Sequence, residues 1–190
     1  MKKEENYSVI LITLFGTVGS ILLGLIFYRM AIFSPASAAF QFISSGIIGA
    51  LFFGLLEFKP VKVQNVGIII LLILSLIFSA GKSLNVFDSI RNIFYLVSLL
   101  ASIKIYHLLI KRNPRIPLYL RCFILVVLYT VLNLTIGILL YIIIMRIGLP
   151  SLHLMYSLVV FSVLVGLGIG LGIDLFLNNK KRILGWLIKN

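Results

Sequence analysis

The stretch from Leu118 to Met145 reads LYLRCFILVVLYTVLNLTIGILLYIIIM and carries one charged side chain, Arg121. An apolar run of this length exceeds the roughly 20 residues that take an α-helix across a bilayer. Hydrocarbon holds no water to satisfy unpaired backbone N–H and C=O groups, so the run is predicted to be a helix and not a strand. Being longer than a bilayer requires, it is expected to tilt or to project past the membrane.

Five more runs flank it, giving expected spans at about 7–28, 38–56, 63–80, 90–110, 118–145 and 154–177. The breaks between them carry turn and charge signals: Pro35 within 29–37, Glu57-Phe58-Lys59-Pro60, Gly81-Lys82-Ser83, Pro114 and Pro117 within 111–117, and Gly148 with Pro150. The prediction is an all-α integral membrane protein, a six-transmembrane-helix bundle over 1–177 followed by a basic amphipathic cytoplasmic tail at 178–190. Hydrophobic residues make up 61% of the chain and charged ones 12%. That leaves too little polar surface for a water-soluble fold, and the short connections leave no room for a soluble domain. Met1-Lys2-Lys3 before an apolar run resembles a secretory signal, but the run continues to Tyr28 without a convincing cleavage site and reads as an uncleaved first span.

Charge sets the expected direction. Lys2, Lys3, Lys59, Lys62, Lys104, Lys111, Arg112, Arg115, Arg121, Lys180, Lys181, Arg182 and Lys189 fall on the side of the N-terminus; only Arg29, Lys82, Arg91 and Arg146 fall on the other. By the positive-inside rule both termini are expected in the cytoplasm, with the plasma (inner) membrane as the location. The net charge of +12 then reads as a topology signal that also holds anionic lipid head groups. Nucleic acid is not expected as a partner, because the cations flank spans instead of forming one basic face. Tyr7, Tyr28, Tyr95, Tyr106, Tyr119, Tyr141 and Tyr156 lie near predicted span ends, where an amphipathic ring suits the interface; Tyr129 sits deeper.

Helices in lipid associate through close packing of small residues. Gly16, Ser20 and Gly24 recur at steps of four in the first span, Gly46, Ala50 and Gly54 in the second, and Ser162, Gly166 and Gly170 in the sixth, beside Gly168 and Gly172. They are expected helix-packing positions, together with Ser45 and Gly49; a dimer face or a ligand groove is the alternative. A shift of 117 residues also aligns Arg29 with Arg146, Ser34 with Ser151, Ser45 with Ser162, Gly49 with Gly166 and Glu57 with Asp174. This suggests a parallel repeat of helices 1–2 and 5–6, against which stands chance matching in so aliphatic a chain.

Chemistry is sparse. The acids are Glu4, Glu5, Glu57, Asp88 and Asp174. Glu57 and Asp174 fall near lysines at cytoplasmic span ends, so they read as interfacial ion pairs or, alternatively, as paired carboxylates that gate an opening or hold a cation. His107 and His153 lie on opposite sides of the expected topology and cannot share a metal; no metal and no cofactor are expected. Cys122 is the only cysteine, so there is no intrachain disulfide, and no nucleophile pairing is supported. Gly81-Lys82-Ser83 lacks the earlier glycine of a phosphate loop. Deep polar side chains are expected to pair between helices, with a ligand pocket as the alternative. The candidate binding residues are Asn133, Tyr129, Thr130 and Thr17, with Arg29 and Arg146 on the outer side for an anionic ligand or lipid phosphate.

The leading expectation is a non-enzymatic membrane module, a subunit, anchor or sensory bundle that packs against a second copy or a membrane partner subunit. The alternative is a small-solute transporter or membrane substrate-binding component with a pocket inside the bundle. In size and topology alone the chain is similar to the substrate-binding components of energy-coupling-factor vitamin transporters, with no shared motif to carry residues over. A lipid-acting membrane enzyme comes third.

Overall fold

The computed structural model describes residues 2–27, 35–80, 86–113, 115–145 and 151–189. Among these residues the chain is helical with no strand: α1 Lys2–Phe27, α2 Pro35–Phe58, α3 Val61–Ala80, α4 Val86–Arg112, α5 Leu118–Met145 and α6 Leu152–Lys189. Five helices contain stretches long and apolar enough to cross a membrane, Lys3–Ile26, Gln41–Phe58, Ile93–Arg112, Tyr119–Ile143 and Met155–Trp186. The described apolar part of α3, Val61–Leu71, is shorter than that.

Local sequence explains the boundaries. Pro60 disfavours helical geometry in the residue before it, so α2 stops at Phe58. Gln64 reaches back from α3 to donate to the carbonyls of Lys59 (2.7 Å) and Leu56 (3.2 Å), satisfying helix-end acceptors that would otherwise lack partners. Past residue 177, where the apolar run ends, α6 does not break but continues to Lys189 as one helix of 38 residues. Residues 178–184 contain neither Gly nor Pro to stop it, and Leu184 is buried, so the start of the basic tail packs as part of the bundle.

Helix α1 lies between α2 and α6, antiparallel to both, and small residues bring the backbones together. A Cβ added at Gly168 would lie 2.5 Å from Ser20 Cα, and one at Gly172 would lie 2.5 Å from Gly16 Cα. On the other flank Gly16 abuts Ala50, Gly46 faces Thr17 Cα at 3.0 Å and Gly24 abuts the Phe42 ring. Gly166 and Gly170 face Val126 Cα (3.1 Å) and Cys122 Cα (3.3 Å) across α5–α6, and Gly49 faces Ile169 and Ile103. Ser45 and Ser162 are buried, and Ser20 donates to the Phe42 carbonyl at 3.0 Å. These seams are filled from within the chain.

Apolar side chains line the outside of the bundle as well as its core. Ile10, Leu14, Val18, Leu22 and Leu25 form an exposed stripe on α1, and Phe123, Val127 and Val131 another on α5. Ser20, Ser98, Ser102, Asn133 and Ser162 are buried among Phe42, Phe53, Ile103, Leu125, Tyr129 and Ile169. The contacts of Lys59 with Glu5 and Asn6, of Glu57 with His107 and of Phe58 with Phe176 gather the start of α1 and the later parts of α2, α4 and α6 at one end. Lys59, Lys111, Arg112 and Lys180 lie at that basic end.

Candidate functional site

Two polar assemblies stand out. At mid-depth, Asn133 of α5 bridges α4 and α6: its Nδ2 donates to Ser162 Oγ at 2.7 Å, and its Oδ1 lies 3.2 Å from Ser98 Oγ. Ser162 in turn donates to the Leu158 carbonyl at 2.7 Å and Ser102 to the Ser98 carbonyl at 2.6 Å. Asn133 is 0% exposed, so an amide that is costly in an apolar interior is met from both sides. Tyr129 is buried one turn away, and Tyr95 lies near enough to interact with it electrostatically. Thr130 Oγ1 is buried without a hydrogen-bond partner. Thr17 belongs to a different seam: it donates to the Thr13 carbonyl at 2.7 Å, and its backbone packs against Gly46 of α2. Of the candidate ligand residues, the structure thus gathers Tyr129, Thr130 and Asn133 on α5 and sets Thr17 apart. Arg29 and Arg146 lie outside the described residues, as do Ser34 and Lys82 and the side chains of Asp88, Arg91 and His153.

The second assembly lies at the basic end, where sequence spacing suggests no pairing across helices. A chamber of about 290 Å³ is lined by Phe53, Glu57, His107, Lys111, Arg121 and Leu177, among others. Glu57 Oε2 and His107 Nε2 are 2.9 Å apart, and the Phe53 ring meets the His107 ring edge-on at 5.6 Å, fixing the imidazole. Lys180 sits 4.2 Å from the centre of the Phe58 ring and adds positive potential near Glu57. Arg121 Nε donates to the Ile116 carbonyl at 2.8 Å, so the α4–α5 connection anchors this guanidinium against the chamber.

Just deeper, Cys122 Sγ donates to Asp174 Oδ2 at 3.0 Å. Asp174 is 4% exposed, so the interfacial lysine pairing expected for it gives way to a thiol partner on α5. The reason is rotational: Asp174 lies on the α6 face that packs on α5, one turn beyond Gly170, whose missing side chain lets Cys122 approach. Asp174 Oδ1 and the Tyr106 hydroxyl are both buried without a hydrogen-bond partner. Tyr106, Cys122, Asp174 and Arg121 are close enough to interact electrostatically. The sequence signal that points here is the rarity of acids, since Glu57 and Asp174 each mark one wall of the cluster.

Among the described residues no group of three His, Cys, Asp or Glu side chains is placed to hold a metal ion. The Gly81-Lys82-Ser83 stretch lies outside the described residues. No protein-family model, curated protein or solved structure matches the chain.

Proposed function

We propose that the chain is an integral multi-pass protein of the cell membrane, a non-catalytic helix-packing module with α3 as its sixth span and both termini in the cytoplasm. The apolar exterior carries this reading: apolar stripes face outward on α1 and α5 while Asn133 and its serine partners are buried. Lipid solvates such a surface and water does not. The basic end supports the direction, since Lys and Arg collect on the cytoplasmic side of membrane proteins.

Single cysteines placed at Lys111 or Lys180 in a Cys122→Ala background test the orientation. Labelling by a membrane-impermeant thiol reagent is expected only after the cytoplasmic face is opened; labelling in intact cells would reverse it. Release of the protein by alkaline carbonate would remove the integral reading. For the packing role, light scattering in several mild detergents is expected to find the chain with a second copy or a membrane partner. A lone monomer in every detergent would sink it.

On this reading the α1–α2 and α5–α6 pairs are two parallel repeats. Each pair is antiparallel, but the acids aligned by the repeat have unlike partners, Glu57 meeting His107 of the middle helix α4 and Asp174 accepting from Cys122 within its own pair. An experimental structure in which the two pairs fail to superpose would dismiss the repeat. A second reading, a membrane substrate-binding component, is favoured by the chamber at the basic end.

A further inference from the structure

A groove on the outer side of α6 is built differently from the chamber. Leu175, Asn179, Arg182 and Trp186 recur at steps of four, three and four, so they share one face of the helix. With Ile183 and with Phe15 of α1 they line a hollow of about 420 Å³. Phe15 and the exposed Leu175 make one end of it apolar, and Leu171, one turn further along α6, continues that exposed apolar face. Asn179 and Arg182 make the other end polar. Asn179 Nδ2 donates to the Leu175 carbonyl at 3.0 Å, and the amide carries a second N–H. Arg182 forms no ion pair among the described residues, and the lining contains no acid. The chamber, by contrast, sets Glu57 beside its cations.

The register of α1 against α6 fixes the depth of this groove. The helices run antiparallel with Gly16 against Gly172, so Tyr7, nine residues before Gly16, stands level with Lys181, nine residues after Gly172. The exposed apolar stripe of α1 starts at Ile10, and Tyr7, also exposed, lies one turn before it. In a membrane such a stripe lies in hydrocarbon and a flanking tyrosine at the head groups. Arg182 then stands at the level of lipid phosphates, with Leu175 about 10 Å deeper by the helical rise of seven residues. An apolar hollow at that depth is filled by an acyl chain and not by water. The planar fork of an arginine matches phosphate oxygens, and Trp186 adds an exposed amphipathic ring suited to the same layer. Lys180 and Lys181 adjoin Arg182 in sequence, and their charge favours a net negative head group over a zwitterionic one.

We propose that this groove is a site for one anionic glycerophospholipid, with its phosphate on Arg182 and Asn179 and an acyl chain along Leu175 and Phe15. The inference rests on the membrane reading and replaces a diffuse attraction for head groups by one place and one lipid class. A diffuse basic surface responds alike to the loss of any of its cations. A built site responds to those in its lining.

The test is native mass spectrometry of the delipidated full chain in mild detergent, titrated with phosphatidylglycerol or with phosphatidylcholine of the same acyl chains. One phosphatidylglycerol is expected to bind at least about fivefold tighter than phosphatidylcholine, the factor that one basic residue near an anionic head group supplies. Arg182→Gln should erase that preference. Lys181→Gln removes the same charge from an exposed neighbour outside the lining and should leave the preference in place. Leu175→Trp fills the apolar end at an exposed position without changing charge, and should weaken both lipids. Equal binding of the two lipids, no binding of either, a preference lost equally in Arg182→Gln and Lys181→Gln, or unchanged binding in Leu175→Trp overturns the proposal. If Leu175→Trp does not fold, the comparison of Arg182→Gln with Lys181→Gln decides. Each of these failures leaves the integral reading standing, because resistance to alkaline carbonate reads that separately.

Discussion

Cys122 is a single reporter of a buried polar contact, the thiol–carboxylate bond between α5 and α6. Its thiol is 5% exposed and bonded to Asp174, so alkylation of the native protein in detergent is expected to be slow and to become rapid on denaturation, as mass spectrometry of the intact chain would read. Rapid labelling of the native form would mean that the α5–α6 seam opens freely. Cys122→Ala leaves both Asp174 carboxylate oxygens without partners and is expected to cost about 1–3 kcal/mol in a thermal or denaturant melt. Asn133→Ala breaks the bridge from Ser98 to Ser162 and should cost about 1 kcal/mol, the net worth of a typical intramolecular hydrogen bond. At this scale the sequence was only half legible. Asn133 and Tyr129 are recognisable as deep polar residues, yet their partners are not. Spacing tells which residues share a face of one helix, whereas a bond such as Cys122 to Asp174 depends on how two helices are rotated against each other.

At the scale of the helix, α6 is the element most tightly specified by small residues. Gly168→Leu would drive a side chain into the backbone of Ser20, a neighbour that cannot turn aside, and is expected to cost at least about 3 kcal/mol of stability. Gly185, on the same helix, has nothing within 4 Å of its missing Cβ. Gly185→Ala is therefore expected to be neutral or to gain up to about 1 kcal/mol from helix propensity. Melting the two variants side by side separates a packing requirement from a general intolerance of glycine loss. The small residues at steps of four are visible in the sequence; that α1 serves both α2 and α6 is not, because a Gly-x-x-x-Gly stripe names a close approach without naming the partner. The end of the sixth apolar run was legible as a change in composition, but α6 passes through that change because helix termination needs a stop signal that residues 178–184 lack.

For the whole molecule, helix number and approximate bounds follow from the apolar runs and from the Pro, Gly and charged residues that break them. The order in which the helices pack does not follow, and it has a consequence for synthesis. Helix α1 is held by α6 as extensively as by its sequence neighbour α2, so the α1–α6 seam joins the two ends of the described chain. Contacts so distant in sequence form late, and until α6 packs, the Phe15–Ser20 backbone that receives Gly168 and Gly172 is covered on its α2 side alone. Nascent or truncated chains that end before Leu152 would leave that stretch of α1 uncovered and open to quality-control proteolysis. A stop codon placed at Leu152 should shorten the half-life of the product in a pulse-chase measurement far more than one placed at Gly185, which spares the seam. The seam would thus act as a check on synthesis of α6, because this part of the fold closes only when that helix arrives.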